Sequence, residues 1–221
     1  MKTPKRMKIS VASDRFKEDA DALFRGKYYA ASILYNAVYV EHLLLSSYLF
    51  LKRDGGIQYA ISARDDILKR KEKGWLPFGE VIKLTVPALE RFLSSQPKLN
   101  DGKAESLLSL CRKLNKIRNE ASVHPYLALM LDPSNQEKKA MYDVNYYRKV
   151  LRKIKIFLEK DLGVAAPSEV ERLVKVGSPM SMLRLIDEEF ASTLDEVERI
   201  FASSAKEVTS EIRSRLKVLV P

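Results

Sequence analysis

The residues with the clearest potential for chemistry lie between positions 111 and 126, in the segment CRKLNKIRNEASVHPY. Arg118 supplies a permanently charged guanidinium, Asn119 a neutral amide, and His124 an imidazole that exchanges a proton near neutral pH. A cation that stabilises negative charge, placed beside a group that moves protons, suits a reaction at a phosphate ester. The segment therefore predicts phosphate-ester chemistry.

An amphipathic helix is predicted to carry this segment. Apolar residues recur at intervals of three and four, which indicates a core-facing side made of Leu107, Leu110, Leu114, Ile117 and Ala121. Arg118 falls at the edge of this side. The helix should end near His124, because Pro125 disfavours helical geometry in the residue before it. His124 then lies roughly 120° around the helix from Arg118. The side chains of Arg118 and His124 can reach the same groove only if that groove runs along the flank of the helix and the last helical turn frays or bends.

The pattern Arg118-Asn119-x4-His124 resembles the R-x(4–6)-H signature of HEPN domains (higher eukaryotes and prokaryotes nucleotide-binding), in which a polar residue directly follows the arginine. In that family the signature ends a late helix of a small all-α bundle. The stretch from Gly26 through Glu41 resembles the family's long second helix. The resemblance covers about residues 13–163, and it implies an antiparallel bundle of four to five helices.

Many HEPN proteins are metal-independent endoribonucleases, so the resemblance implies a role for each motif residue and no cofactor. RNA cleavage by its own 2′-hydroxyl needs a base, an acid and a cation for the phosphorane charge. His124 would act as the acid or base and Arg118 would stabilise the charge. Asn119 would position the phosphate or the imidazole.

A homodimer is expected on two grounds. The motif holds one suitable histidine, while acid and base catalysis together require two groups, and a two-fold axis would bring two motifs face to face. The resemblance implies the same arrangement, because HEPN ribonucleases form one composite active site from the motifs of two protomers.

His124-Pro125-Tyr126 resembles the H-x-Y ending of HEPN toxins, whose tyrosine is nucleotidylated by a partner antitoxin of the minimal nucleotidyltransferase class. On this interpretation the chain is a toxin or defence effector and Tyr126 is its silencing site. The alternative is a tyrosine that covers the helix end.

The charge of the chain favours a polyanionic partner. There are 39 Lys+Arg against 29 Asp+Glu, a net charge of +10, which suits nucleic acid or an anionic membrane surface. We predict an RNA-binding surface on the motif helix and the basic helix after it, made of Arg112, Lys113, Lys116, Arg148 and Arg152. The alternative is a set of solvated helix faces. Glu41 is a candidate to line the groove, and His42 beside it is interpreted as a satisfied core or interface histidine.

Composition and patterning exclude several classes of protein. One Cys and two His exclude disulfide scaffolds and argue against a multi-histidine metal centre, and Cys111 is expected to be a buried small hydrophobe. The basic N-terminus runs into SDRFKED without an apolar stretch, unlike a secretory signal. The apolar run at 28–51 contains Asn36, Glu41 and His42, so we expect a buried helix without membrane contact and a cytoplasmic protein.

Three regions are predicted: a basic tail at 1–12, the helical bundle at 13–163 and a helical extension at 164–221. Within the bundle, helices are expected near 13–25, 28–52, 62–74, 79–85, 87–93, 103–124 and 142–162, the last ending at Gly163. Capping boxes are predicted at Ser62–Asp65 and Ser168–Glu171, and Pro87 is predicted to separate two short helices.

The extension contains one long amphipathic helix after Pro179. Its apolar stripe is Phe190, Leu194, Val197, Phe201, Ala205, Val208 and Ile212. This helix either folds back onto the bundle or forms a coiled-coil arm for a partner or a second protomer. Three functions therefore stay open: a HEPN ribonuclease, a non-catalytic HEPN-like module that binds RNA, nucleotide or protein, and a helical scaffold organised by the extension.

Overall fold

A computed structural model describes residues 10–71, 77–95, 105–122, 148–149, 151–175, 191–217 and 219. Every regular element in these ranges is a helix, which confirms the all-α prediction. The helices are α1 (Ser10–Arg25), α2 (Tyr29–Asp54), α3 (Ile57–Lys71), α4 (Phe78–Ser94), α5 (Leu107–Ser122), α6 (residues 151–156, continued by the π-helical turn Phe157–Leu162), α7 (Ser168–Lys175) and α8 (Ala191–Leu216).

Helix α2 is the centre of the fold. Its buried side chains include Ile33, Tyr39, Val40 and Leu44, each fully excluded from solvent. Helices α1, α3, α4, α5 and α8 all pack against it. The prediction that other helices surround this apolar segment is confirmed.

Helices α1 and α2 form an antiparallel hairpin. The Ser32 hydroxyl donates to the carbonyl of Ala20 at 2.8 Å, which ties the start of α2 to the second half of α1. The turn between them is tight at Gly26, where a Cβ would lie 3.1 Å from the ring of Tyr28, so a larger residue would require that exposed ring to shift. Lys27 then takes the left-handed conformation with φ of 64° and reverses the chain.

Helices α4 and α5 are also antiparallel, and this pairing positions the motif. At one end Glu90 Oε1 accepts a hydrogen bond from the backbone N–H of Leu108 at 2.9 Å, so a carboxylate near the end of α4 satisfies a free donor in the first turn of α5. At the other end, the Arg118 guanidinium carbon lies 6.0 Å from the ring centroid of Phe78 at the start of α4. The first contact fixes the start of α5 to the end of α4, and the second holds the end of α5 against the first turn of α4.

Helix α8 folds back onto the bundle. It packs against α2 and α5, and its predicted stripe is buried in the shared core through Val197, Phe201, Ala205, Val208 and Ile212. Lys206 lies 3.1 Å from Asp21, and Arg213 lies 3.5 Å from Asp14, so α8 also runs antiparallel to α1. Of the two arrangements considered for this helix, the structure has the packed one over residues 191–216.

Two predicted helix boundaries are wrong. Helix α4 continues through Pro87 as one helix. Burial of each of its five core side chains stabilises the fold by about 1.5–3 kcal/mol, and together they outweigh a proline penalty of about 3 kcal/mol. These five residues are Phe78, Val81, Ile82, Val86 and Leu89. Helix α3 begins at Ile57, directly after a turn in which Gly56 has φ of 117°, so the predicted capping box at Ser62–Asp65 lies inside the helix.

Two further boundaries are as predicted. Helix α6 ends at Gly163, which has the left-handed conformation with φ of 67°. Helix α7 begins at Ser168. The side chains expected to form its capping box are engaged elsewhere: the Ser168 hydroxyl donates to Glu169 Oε2 at 3.1 Å, and Glu171 accepts from Lys155 at 2.7 Å.

Candidate functional site

The described part of the motif lies at the end of α5. Arg118 is half-buried and its guanidinium lies over the Phe78 ring, a cation–π arrangement. Leu114 and Ile117 are fully buried on the neighbouring side of the helix, so the predicted position of Arg118 at the edge of the core face is confirmed. The ring packs against the guanidinium and so keeps it at the contact between α4 and α5.

Asn119 lies on the exposed side of the same helix. With Arg112 and Lys116 it occupies positions spaced by four and three residues, and all three side chains are exposed. Arg118 and Asn119 therefore face different directions from adjacent positions. His124 and Tyr126 lie outside the described residues, so the joint geometry of Arg118 and His124 stays a prediction.

Lys116 connects the motif helix to α6. Its ammonium lies 2.6 Å from Asp161 Oδ2 and 4.9 Å from the ring centroid of Phe157. The pair is substantially exposed, so it contributes about 0–1 kcal/mol and a phosphate can compete for the lysine. Among the other predicted RNA-binding residues, Lys113 and Arg148 are half-buried, whereas Arg112 and Arg152 are exposed.

The spacing in the sequence predicts that Tyr147, Val150, Ile154 and Phe157 point inward and that Arg148, Lys149, Arg152 and Lys153 point outward. The structure confirms this for the buried Ile154 and Phe157 and for the exposed Lys149, Arg152 and Lys153, whereas Arg148 is half-buried. Tyr147 and Val150 lie outside the described residues. The structure thus brings the outward sides of α5 and α6 together at the contact between Lys116 and Asp161.

The candidates on α2 have different environments. Glu41 is half-buried. His42 is exposed, and its ring stacks on Phe16 with centroids 5.0 Å apart and an interplanar angle of 29°. The core alternative for His42 is therefore wrong, because its side chain is exposed, with Phe16 of α1 covering one face of the ring. The interface alternative stays a prediction.

Cys111 is a buried hydrophobe, as predicted. The side chain is fully excluded from solvent, and burial together with the charge of Glu90 raises the pKa of its thiol to about 12. A thiol with this pKa is protonated and inert at neutral pH. Within the described ranges no three His, Cys, Asp or Glu side chains are grouped to hold a metal ion.

One ionisable residue was missed by the sequence reasoning. Glu198 is 7% exposed on α8, and burial, with a smaller effect of Asp195, raises the pKa of its carboxyl to about 7. Its spacing to Phe201 and Ala205, three and seven positions, places it on the apolar side of the helix. A carboxylate within an apolar stripe was the signal that could have identified it.

A groove of about 600 Å³ lies between α1 and α8, away from the motif. Its lining combines two carboxylates with one lysine and small polar residues: Phe24, Ser203, Lys206, Glu207, Ser210 and Glu211. Lys206 already pairs with Asp21 and lies over the Phe24 ring, at 5.4 Å from its centroid. This groove therefore lacks the combination of cation and imidazole that the motif offers.

Comparison with known proteins finds no match to a protein-family model, to a curated protein or to a solved structure. The resemblance to HEPN domains therefore rests on the residues of the motif and stays a prediction. None of the helices within the described ranges is both long enough and apolar enough to cross a membrane.

Proposed function

We propose that the chain is a metal-independent endoribonuclease of the HEPN type. The observation that carries the proposal is the position of Arg118 near the end of a bundle helix, half-buried and packed on Phe78 of α4, six residues before His124 in the sequence. The exposed cations of α5 and α6 beside this helix end support a polyanionic substrate.

In the proposed reaction the RNA cleaves itself with help from the protein. A base takes the proton of the 2′-hydroxyl, the 2′-oxygen forms a bond to phosphorus, and the bond from phosphorus to the 5′-oxygen breaks. An acid gives a proton to the departing 5′-oxygen. The products are a 2′,3′-cyclic phosphate and a 5′-hydroxyl, with no change in oxidation state. Arg118 stabilises the charge of the phosphorane, Asn119 positions the phosphate or the imidazole, and His124 transfers protons.

A homodimer completes the proposed site. One His124 per chain supplies either the base or the acid, and the second chain supplies the other across a two-fold axis. Under the same proposal the protein is a toxin or defence effector, and a nucleotidyltransferase antitoxin silences it at Tyr126.

The test is cleavage of a labelled mixed-sequence RNA in the presence of EDTA. Wild type should cleave and leave 2′,3′-cyclic phosphate ends, whereas Arg118→Ala and His124→Ala should each nearly abolish cleavage with an unchanged helical circular-dichroism signal. Arg25→Ala is the matched control, because it removes an exposed cation at the end of α1. Loss of cleavage on addition of EDTA would contradict the metal-independent mechanism.

A non-catalytic RNA-binding module is the second candidate. The observation that favours it is the packing of Arg118 on Phe78, which gives this arginine a structural role without any reaction. The same experiment decides, since RNA binding without cleavage by wild type and by His124→Ala supports this candidate. The third candidate, a helical scaffold organised by the extension, stays a prediction; the packing of α8 on α2 and α5 places its described residues in the core.

A further inference from the structure

The outward side of α6 carries basic residues. Leu151, Ile154, Phe157 and Leu158 are buried and define its inward side. The exposed cations opposite them are Arg152, Lys153 and Lys160, and a fourth exposed cation, Lys149, lies two residues before the helix.

The carboxylates near α6 do not neutralise these cations. Asp161 pairs with Lys116 at 2.6 Å, and Glu159 and Glu171 lie 3.6 Å and 2.7 Å from the ammonium of Lys155. These three carboxylates are therefore already paired with Lys116 and Lys155, which are not among the four exposed cations. Within the part of the chain that the structure describes, no carboxylate lies within 4.0 Å of the four outward cations.

An aliphatic side chain lies in the middle of this basic side. Ile156 is 51% exposed and is one helical turn from Arg152, Lys153 and Lys160. An apolar patch surrounded by cations fits a ligand that offers negative charges together with an apolar surface. Single-stranded RNA does so because its unstacked bases expose their flat faces next to the phosphates, whereas a duplex keeps its bases paired and stacked.

We infer that the outward side of α6 is a binding track for single-stranded RNA, separate from the reacting groups at the end of α5. The four cations contact successive phosphates and Ile156 contacts a base. The inference deepens the proposed function and rests on it for the identity of the polyanion, but it requires no cleavage.

The first experiment measures binding of a labelled mixed-sequence single-stranded RNA by fluorescence anisotropy at roughly 50 to 300 mM salt. Over this range the affinity that comes from phosphate contacts falls with salt concentration. The protein carries His124→Ala throughout, so that the RNA stays intact. For single strands, log K falls against log salt with a slope of about −0.7 per phosphate contact. Arg152→Gln with Lys153→Gln should therefore flatten the slope by about 1.4 and weaken binding about tenfold or more at low salt.

The matched control is Arg25→Gln with Lys217→Gln. Both residues are exposed and lie outside α6, so this protein loses the same charge without losing the track. Its slope should stay within about 0.3 of the parent value, on the same counterion reasoning. Equal slopes for the α6 variant and the control would overturn the inference.

The second experiment changes the apolar contact. Ile156→Tyr should tighten binding of the single strand several-fold through base stacking and leave binding of a duplex of the same sequence unchanged. Tightening of both forms equally, or of neither, would overturn the base contact.

The outcomes separate this inference from the proposed function. RNA binding that depends on α6, without cleavage by wild type, overturns the ribonuclease proposal alone. When Arg152→Gln with Lys153→Gln is made in a chain that keeps His124, unaffected cleavage overturns the track alone. Tighter binding of wild type to phosphatidylserine vesicles than to RNA, lost in the α6 variant, would instead assign this surface to an anionic membrane.

Discussion

Arg118 has a structural contact and a proposed catalytic role, and two substitutions separate them. Arg118→Ala removes the charge and the contact with Phe78, so we expect a loss of at least about 100-fold in cleavage rate and about 1 kcal/mol in stability. Phe78→Leu removes only the ring, and should cost about 1 kcal/mol with cleavage within a few-fold of wild type. Urea denaturation and initial rates on labelled RNA measure both. If Arg118→Ala and Phe78→Leu lose cleavage equally, Arg118 has a structural role only.

Glu198 makes stability depend on pH. Its folded-state pKa of about 7 lies above the ordinary value of 4.5, because burial disfavours the charged carboxylate. The folded chain therefore binds the proton more tightly than the unfolded chain, and stability falls as pH rises between these two values and is flat above them. The full difference corresponds to roughly 3 kcal/mol.

Glu198→Gln tests this dependence, since glutamine has a similar shape and stays neutral. Relative to this variant, wild type should be about equally stable at pH 4.5 and up to about 3 kcal/mol less stable at pH 8. Urea unfolding at intervals across this range measures the difference. A constant difference between the two proteins would show that the carboxyl titrates normally in the folded state.

At the scale of the element, Pro87 lowers the stability of helix α4. The residue is exposed on the outer side of a 17-residue helix, where it removes one backbone hydrogen bond. Pro87→Ala should stabilise the protein by about 2 kcal/mol, which is a gain of about 3 kcal/mol in the helix reduced by about 1 kcal/mol of added freedom in the unfolded chain. Thermal and urea denaturation measure the change. Destabilisation would instead mean that the backbone geometry fixed by Pro87 is needed for the packing of α4 on α2 and α5.

The helices that the sequence predicted well are those with a long apolar stripe. The inward residues of α5, α6 and α8 are buried as expected because helical spacing directly reports the side that meets the core. The predicted break at Pro87 and the predicted start at Ser62 were wrong, because a single stop or cap residue contributes less free energy than the burial of several apolar side chains. The pair Lys116 and Asp161 joins positions 45 apart, and only tertiary packing brings them together.

At the scale of the whole molecule, α8 completes the core that holds the motif helix. Phe201 is fully buried and packs on Phe157 with ring centroids 5.5 Å apart, so it joins α8 to α6. Phe201→Ala should destabilise the chain by about 3–5 kcal/mol. Arg199→Ala on the exposed side of the same helix should cost less than about 1 kcal/mol, since it loses only an exposed pair with Glu196. Similar denaturation midpoints for the two variants would show that α8 is dispensable for the core.

The proposed composite site makes activity depend on the concentration of the chain. If each chain supplies one His124 to a shared site, cleavage per chain should fall in proportion to concentration below the dissociation constant of the dimer. Initial rates over a thousandfold range of concentration, with sedimentation velocity in parallel, test this relation. An excess of a chain with both Arg118→Ala and His124→Ala should also suppress wild-type cleavage, because the two chains form mixed dimers. An excess of His124→Ala chain should not suppress it when the concentrations lie below the dissociation constant, because mixed dimers then do not form. Constant cleavage per chain across the dissociation would contradict the composite site, because a site that works in one protomer needs only its own arginine and histidine.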